Sequence, residues 1–517
     1  MESRTKNATR NLAFGVINKT IVLLIPFVTR TLMIYKMGVQ YVGLGSLFTS
    51  ILSVLSFAEL GVGSALVFSM YKPIAENDID RVNALLAFYK KTYRIIGIVI
   101  LLLGVAIMPF LRYLINGDVP SNINIYYLYS IYLINNILGY FLFAYKQSLF
   151  IASQRVDKIS LINTITQTIS GLFQTFILLF LQDYYLYVLV IPIITCLTNV
   201  LVAILSNKYF PQCKCSGEID NSELKEIKKK IGGMVFQKIG NIVLSSVDTI
   251  VISAFLGLIV LGKYQNYYYI FTTLNGFLAI VMSSIIPVIG NSIVKESVEK
   301  NHKDFKTFNF LYIWIVVWWT SCLVCLYQPF MKIWAGESNM LSGTMALLFA
   351  LYFFAYKWCD MLYVYQEASG IWWETRFVPI LAAVLNLGIN IFLVNFIGLP
   401  GILISTIISV VFVYDIGYSK AIYATYFKSI NFGLMSYWKR QILYFSTAII
   451  SAVLCYTLCA IIPAKSSVFR LFVNLLICLF VPNIVMTAFW FKTPEFERAK
   501  RICSGIIKKF RRGKNVS

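Results

Sequence analysis

Arg30, Glu59, Asp248 and Asp360 each fall inside a run of apolar residues long enough to cross a bilayer. An ionised side chain at the middle of a spanning helix costs about 2.5 to 3.5 kcal/mol on insertion scales, so each of the four needs a reason to be there. The planar fork of a guanidinium matches phosphate oxygens two at a time. An ionised carboxylate only accepts, and it takes up a proton or a Na⁺. One such cation and three such acids therefore suggest a wet interior that holds an anion and senses an ion gradient. Arg30 has a structural reading as well, an ion pair with Glu59 or an extension to the outer surface. Lys146, near the inner end of its span, is a candidate first contact for a phosphate. Lys19 and Lys238 lie within a few turns of cytoplasmic ends and are expected to extend their ammonium groups to water. Asp415 is placed near a cytoplasmic end, where an exposed acid costs little.

Uncharged polar residues follow helical spacing around these groups, three, four and seven apart, which puts them on one face. One span carries Asn163, Gln167, Ser170 and Gln174; another Lys238, Asn241, Ser245 and Asp248; a third Tyr356, Asp360, Tyr363 and Glu367, with Lys357 beside them. Ser46, Ser53, Ser56, Glu59 and Gly63 form a further set, and Asn386 and Asn390 another. Such amides and hydroxyls also glue helices together, at about 0.6 kcal/mol each. The candidate substrate-binding residues are Arg30, Lys146, Asn163, Gln167, Gln174, Asn241 and Asn386. The candidate ion-coupling residues are Glu59, Asp248 and Asp360.

These residues must be positioned by membrane helices. The 517 residues are 58% hydrophobic and 13% charged, against about a quarter charged for a soluble domain. Lipid offers backbone amides no partners, so the apolar runs must close their hydrogen bonds as helices. About fourteen runs qualify: 12–34, 42–70, 92–115, 123–151, 159–181, 184–206, 234–261, 264–293, 309–331, 341–366, 376–397, 400–424, 438–462 and 467–491. The net charge of +22 would suggest nucleic acid in a soluble chain, but here the basic residues crowd into alternate connections. With the amino terminus inside, the outer connections hold only Lys36, Arg112, Lys263, Lys332 and Lys465, so both termini are expected in the cytoplasm. The amino-terminal apolar run is too long for a signal peptide and lacks a small-residue cleavage site, so it is read as a permanent helix. Prolines at 26, 192, 287 and 482 mark expected bends.

The exit of span one, Arg30-Thr-Leu to Gly43, aligns with that of span seven, Asp248-Thr-Ile to Gly262, allowing one inserted residue. Spans four and ten also share an ending, Ala152-Ser-Gln-Arg155 and Ala368-Ser-Gly370. Copies six spans apart that both start from the cytoplasm are parallel repeats. The expected fold is all-α and polytopic, with two parallel six-helix bundles related by a pseudo-two-fold along the membrane normal, plus two C-terminal helices. The expected divisions are an N-terminal lobe 1–206, a cytoplasmic linker 207–233, a C-terminal lobe 234–424, two added helices 425–491 and a basic tail 492–517. Linker and tail are read as anchors on anionic membrane lipid, with docking of a partner enzyme as the other reading of the tail.

Six cysteines, Cys196, Cys322, Cys325, Cys455, Cys459 and Cys478, lie inside apolar runs, where a free thiol packs as a small core residue. Cys213 and Cys215 form a loop pair far in sequence from the single histidine, His302, which is expected in a cytoplasmic loop. A zinc site wants about four ligands. No metal, cofactor or disulfide framework is expected.

The segments Arg30 to Gly43, Ala58-Glu-Leu-Gly-Val-Gly-Ser-Ala65, Tyr145-Lys-Gln-Ser-Leu-Phe-Ile-Ala-Ser-Gln-Arg155, Asp248 to Gly262, and Gly370-Ile-Trp-Trp-Glu-Thr-Arg376 with Pro379 and Asn386 resemble, in their order, the Wzx-type polysaccharide flippases. These belong to the superfamily of multidrug, oligosaccharidyl-lipid and polysaccharide exporters. The resemblance implies a V-shaped, MATE-like transporter of the bacterial cytoplasmic membrane. It would carry an undecaprenyl-diphosphate-linked oligosaccharide from the inner to the outer leaflet by alternating access, coupled to a proton or Na⁺ gradient, for O-antigen, capsule or exopolysaccharide. Onto this sequence it places Arg30 and Lys146 on the phosphate side and Asp248 as an embedded acid, with Glu59 in the family's Gly-rich segment. Arg376 matches a basic residue of the later motif, but at the cytoplasmic end of its span. A polysaccharide polymerase and glycosyltransferases are candidate protein partners.

A multidrug exporter of the same fold is the alternative; it would want an anionic or aromatic cavity and usually twelve spans. A membrane polymerase, ligase or acyltransferase would want a sizeable outer loop with catalytic acids or a buried histidine. The outer connections are short, so an enzyme is not expected.

Overall fold

A computed structural model describes residues 24–59, 61–431, 433–462 and 466–513. Lys19, the first half of span one and Lys465 lie outside them. All regular structure among the described residues is helical. Eleven helices are long and apolar enough to cross a membrane, or twelve when one bent pair counts as a single span. Two of the expected fourteen fall short of that length for local reasons. Span one is described only from Leu24, and span two is broken.

In order, helix α1 covers 24–36. It is followed by α2 (Val39–Leu55), α3 (Val62–Glu76), α4 (Ile79–Ile107), α5 (Ile125–Phe141), α6 (Gln147–Ala152), α7 (Val156–Phe176), α8 (Tyr184–Tyr209), α9 (Asn221–Leu256) and α10 (Leu258–Lys295). The rest are α11 (Val298–Trp334), α12 (Gly343–Lys357), α13 (Asp360–Ser369), α14 (Trp372–Thr375), α15 (Val378–Ile397), α16 (Leu399–Ser409), α17 (Ile416–Thr425), α18 (Gly433–Ile461), α19 (Ser467–Trp490) and α20 (Pro494–Gly513).

The sequence explains several of the boundaries. Asp78 caps α4 by accepting from the Arg81 amide at 3.0 Å, Asn124 caps α5 through Tyr126, and Asp183 caps α8 through Leu186. Pro400 sits in the first turn of α16, where its missing N–H costs nothing. The mixed-charge stretch after Asp220 does not stop at a linker. Its Glu and Lys residues favour a helix and run unbroken into span seven, making the 36-residue α9. His302 is likewise not in a loop. It lies in the second turn of the 37-residue α11, 5% exposed, with its Nε2 3.1 Å from the Tyr423 hydroxyl.

The chain divides into two compact units, Met1–Gln265 and Asn266–Ser517. In the first, α5 packs on α8, α7 on α8 and α4 on α5, while α9 lies against α2 and α3. In the second, α11 is central and packs on α12, α18 and α19, and α15 pairs with α16.

Two spans of the first unit are interrupted at membrane depth. After α2 the chain tightens into a 3₁₀ turn, Ser56–Glu59, and restarts at Gly61, whose φ of 88° a side chain would resist. The α5 span bends by 50° between Phe141 and Ala144. Non-helical backbone at this depth is tolerated only where protein buries it or a wet cavity receives it.

Candidate functional site

Between these two breaks the first unit forms an open cavity of about 910 Å³. Its walls come from α2, α3, α4, α5, the α6 region and α8, and its lining includes Glu59, Tyr71, Tyr89, Tyr93, Tyr132, Asn135, Asn136, Tyr140 and Gln147. Glu59, on the 3₁₀ turn, is half-buried and accepts from the Tyr93 hydroxyl at 2.7 Å and from that of Tyr140. Tyr89 donates to Tyr93 at 2.9 Å, so three phenols and one carboxylate form a chain. The Tyr89 and Tyr93 rings lie edge to face with centroids 4.5 Å apart, and Tyr93 and Tyr140 at 5.3 Å. Gly63 leaves room for this network, because a Cβ there would stand 2.8 Å from the Tyr89 oxygen. Beside this network, on the same turn and helix, Asn136 donates to Ser56 at 3.2 Å, and Thr195 of α8 donates to Asn135 at 2.8 Å.

Lys238 of α9 reaches this wall, its ammonium 3.2 Å from the hydroxyl of Ser64, a lining residue. This contact is solvent-exposed, so the ammonium stands at the wet margin of the cavity. Sequence spacing missed the tyrosines. Tyr93 and Tyr140 sit on two different spans, and only the packing of α4 and α5 around the Ser56–Glu59 turn brings both to Glu59.

The other candidates of the first unit lie apart from the cavity lining. Arg30 is half-buried and donates from Nη1 to the backbone carbonyl of Gln265 at 2.8 Å. Asp248 is 4% exposed on α9, and Asn241 lies exposed on the same helix. Lys146, just beyond the bend, donates to Asn207 Oδ1 at 2.6 Å. Of the α7 stripe, Asn163 is half-buried, Gln167 exposed and Gln174 buried, with its amide 3.5 Å from the Tyr187 carbonyl on α8.

The second unit has its own ionic cluster at a third interruption, between α12 and α13. Lys357, 4% exposed, bridges Asp360 Oδ2 at 2.7 Å and Asn275 Oδ1 at 2.6 Å. Tyr312, of α11, also donates to Asp360. The Asp360 charge is thus matched by a cation three residues earlier. Asn386 is fully buried and donates to Ser405 at 3.3 Å and Thr406 at 2.8 Å while accepting from Asn390, which ties α15 to α16. Asp415 is not exposed as expected. It is 1% exposed at the end of a short π-helical segment that joins α16 to α17, and it accepts from Tyr437 of α18 at 2.5 Å, because the packing of α18 there covers it.

An acid ringed by phenols, with amides, hydroxyls and one ammonium at its edge, can bind a polyhydroxylated or cationic guest and can hold a proton. Solved structures with the same fold are transporters. The lipid II flippase MurJ in an inward closed conformation is 15% identical, with 93% of this chain and 99% of that one covered at a TM-score of 0.66. An inward-facing MATE multidrug resistance transporter of the MOP superfamily is 12% identical, covering 82% and 99% at 0.63. The Vibrio cholerae MATE transporter VcmN is 13% identical, covering 83% and 99% at 0.54. No curated protein sequence matches the chain. The model of the family described as polysaccharide biosynthesis protein matches residues 8–293, more than half of the sequence. This multi-pass membrane protein, with its tyrosine-lined cavity between broken helices, therefore belongs to the polysaccharide biosynthesis protein family.

Proposed function

We propose that the protein moves an undecaprenyl-diphosphate-linked oligosaccharide from the inner to the outer leaflet of a bacterial cytoplasmic membrane by alternating access, driven by a proton or Na⁺ gradient. The observation that carries this reading is the lining of the 910 Å³ cavity: phenols, amides and hydroxyls around a single acid, with Lys238 at its margin. Sugar hydroxyls need such donors and acceptors, and sugar rings stack on aromatic faces such as Tyr71 and Tyr132. The diphosphate needs a cation, which Lys238 supplies from the wall and Lys146 from the adjoining bend, while the prenyl chain stays in lipid. Interrupted helices around a binding site are how transporters place polar backbone at membrane depth. Glu59 is the coupling acid in this reading. Its described partners are hydroxyls, whereas Asp360 already carries the charge of Lys357.

Reconstitution into liposomes with a lipid-linked oligosaccharide tests the proposal. The protein should increase the glycan exposed to an external lectin, more so with an imposed proton or Na⁺ gradient. No gain over empty vesicles refutes it. Export of multidrug type is the second reading, and Glu59 among tyrosines is the observation that favours it, since an acid with aromatic faces suits an organic cation. Gradient-driven movement of such a cation, with no glycolipid transfer in parallel vesicles, would select it.

A further inference from the structure

The apolar runs scatter five cysteines over three helices, and the fold of the second unit collects them. Cys322 and Cys325 share one face of α11, Cys455 and Cys459 one face of α18, and Cys478 projects from α19. These three helices pack pairwise on one another. Cys325, Cys455, Cys459 and Cys478 form a single buried cluster, with Cys322 against it. The sulfurs of Cys325, Cys459 and Cys478 all lie within 4.8 Å of one another.

We propose that this cluster is a structural site for a thiophilic d¹⁰ cation, Zn²⁺ or Cu⁺, that clamps α18 and α19 onto α11. A zinc ion with Zn–S bonds of about 2.3 Å places its sulfurs about 3.8 Å apart, so the thiols need to close by about an ångström at most. Soft thiolates select these ions over hard cations. A packing role alone asks only for small apolar side chains, which alanine or valine would satisfy on any of the three helices. An ion can reach the thiols from one side. Cys325 and Cys459 form part of the wall of a cavity of about 690 Å³ whose lining includes Lys332 and Arg470. Asn474 donates to the Cys325 carbonyl at 3.0 Å, and the Cys478 thiol contacts the Ser321 carbonyl at 3.7 Å, so the ligand-bearing turns of α11 and α19 are already held together. All the sulfurs are supplied by the protein and buried, which is the form of a closed structural centre.

The test uses the full chain in detergent, reduced, freed of metal with a chelator and kept anaerobic. Cd²⁺, Zn²⁺ or Cu⁺ buffered by a competing chelator is titrated in. Thiolate-to-metal absorbance, for Cd²⁺ and Cu⁺, and retained metal are read. Saturation at about one ion per chain is expected. Cys325→Ser, Cys459→Ser and Cys478→Ser should each weaken binding by about tenfold or more, while Cys213→Ser leaves it unchanged. Weakening by Cys455→Ser as well would assign a four-thiolate zinc-type centre, and indifference to it a three-thiolate copper(I)-type centre. A parent protein that binds no more ion than the Cys325→Ser/Cys459→Ser/Cys478→Ser variant overturns the proposal. If that variant does not fold, the parent's unfolding temperature decides. A rise with one equivalent of ion supports the site, and no rise overturns it.

Discussion

At Glu59 a carboxylate is held by two phenols, and this fixes what each substitution should do. Glu59→Gln keeps a hydrogen-bonding group of the same shape but cannot take up a proton. It should abolish the gradient-dependent part of glycolipid transfer while leaving binding nearly intact, as vesicles with and without a gradient will show. Tyr140→Phe removes a donor to that carboxylate, and with a net cost of about 1.5 to 3 kcal/mol for a hydrogen bond to a charge it should slow transfer by at least about tenfold. Lys238→Gln removes the cation at the cavity wall. If it holds a phosphate, the glycolipid concentration for half-maximal transfer should rise while the maximal rate changes little. Arg30→Ala is expected to impair transfer more than Lys19→Ala at equal expression, and equal effects would remove Arg30 from the phosphate-side group.

Among the helices, one close approach involves the two glycines that the repeat alignment pairs. A Cβ on Gly43 of α2 would lie 2.3 Å from the Leu258 carbonyl, and one on Gly262 of α10 would lie 2.1 Å from the Val39 carbonyl. Each glycine faces the carbonyl four residues before the other, so the two contacts are one crossing seen from either side. Gly43→Ala and Gly262→Ala should each force the helices apart and lower transfer, and the double variant should be little worse than either single one, since coupled neighbours are not additive. Fully additive losses would show two independent sites. The α15–α16 pair makes the opposite point. Asn386→Leu should lower thermal stability by about 1 kcal/mol, the scale of an interhelical hydrogen bond in a membrane, with transfer unchanged. A large loss of transfer at normal stability would instead place Asn386 at the substrate.

For the whole molecule the testable quantity is orientation. A phosphatase fused after Glu337, in the connection from α11 to α12, should be active outside the cytoplasm, and one fused after Trp490 inactive, as expected for a carboxyl terminus on the inner side.

The helical, membrane-spanning class was legible in the sequence because lipid leaves the backbone a single solution, and twenty apolar residues in a row announce it. Glu59 was legible for the related reason that a charge in such a run is costly enough to stand out. Tyr93, Tyr140 and Lys238 could not be assigned that way. Phenols occur throughout the chain, which has 33 tyrosines, and a lysine near a span end reads as an ordinary anchor. Their roles depend on where α2 breaks and on which helices then face that turn, and these are properties of packing between residues far apart in sequence. The cysteines show the same division. Each looked like a small core residue in its own run, and only the contact of α11, α18 and α19 made four of them neighbours. Periodicity along one helix determines which side chains share a face, while the tertiary structure decides what that face meets.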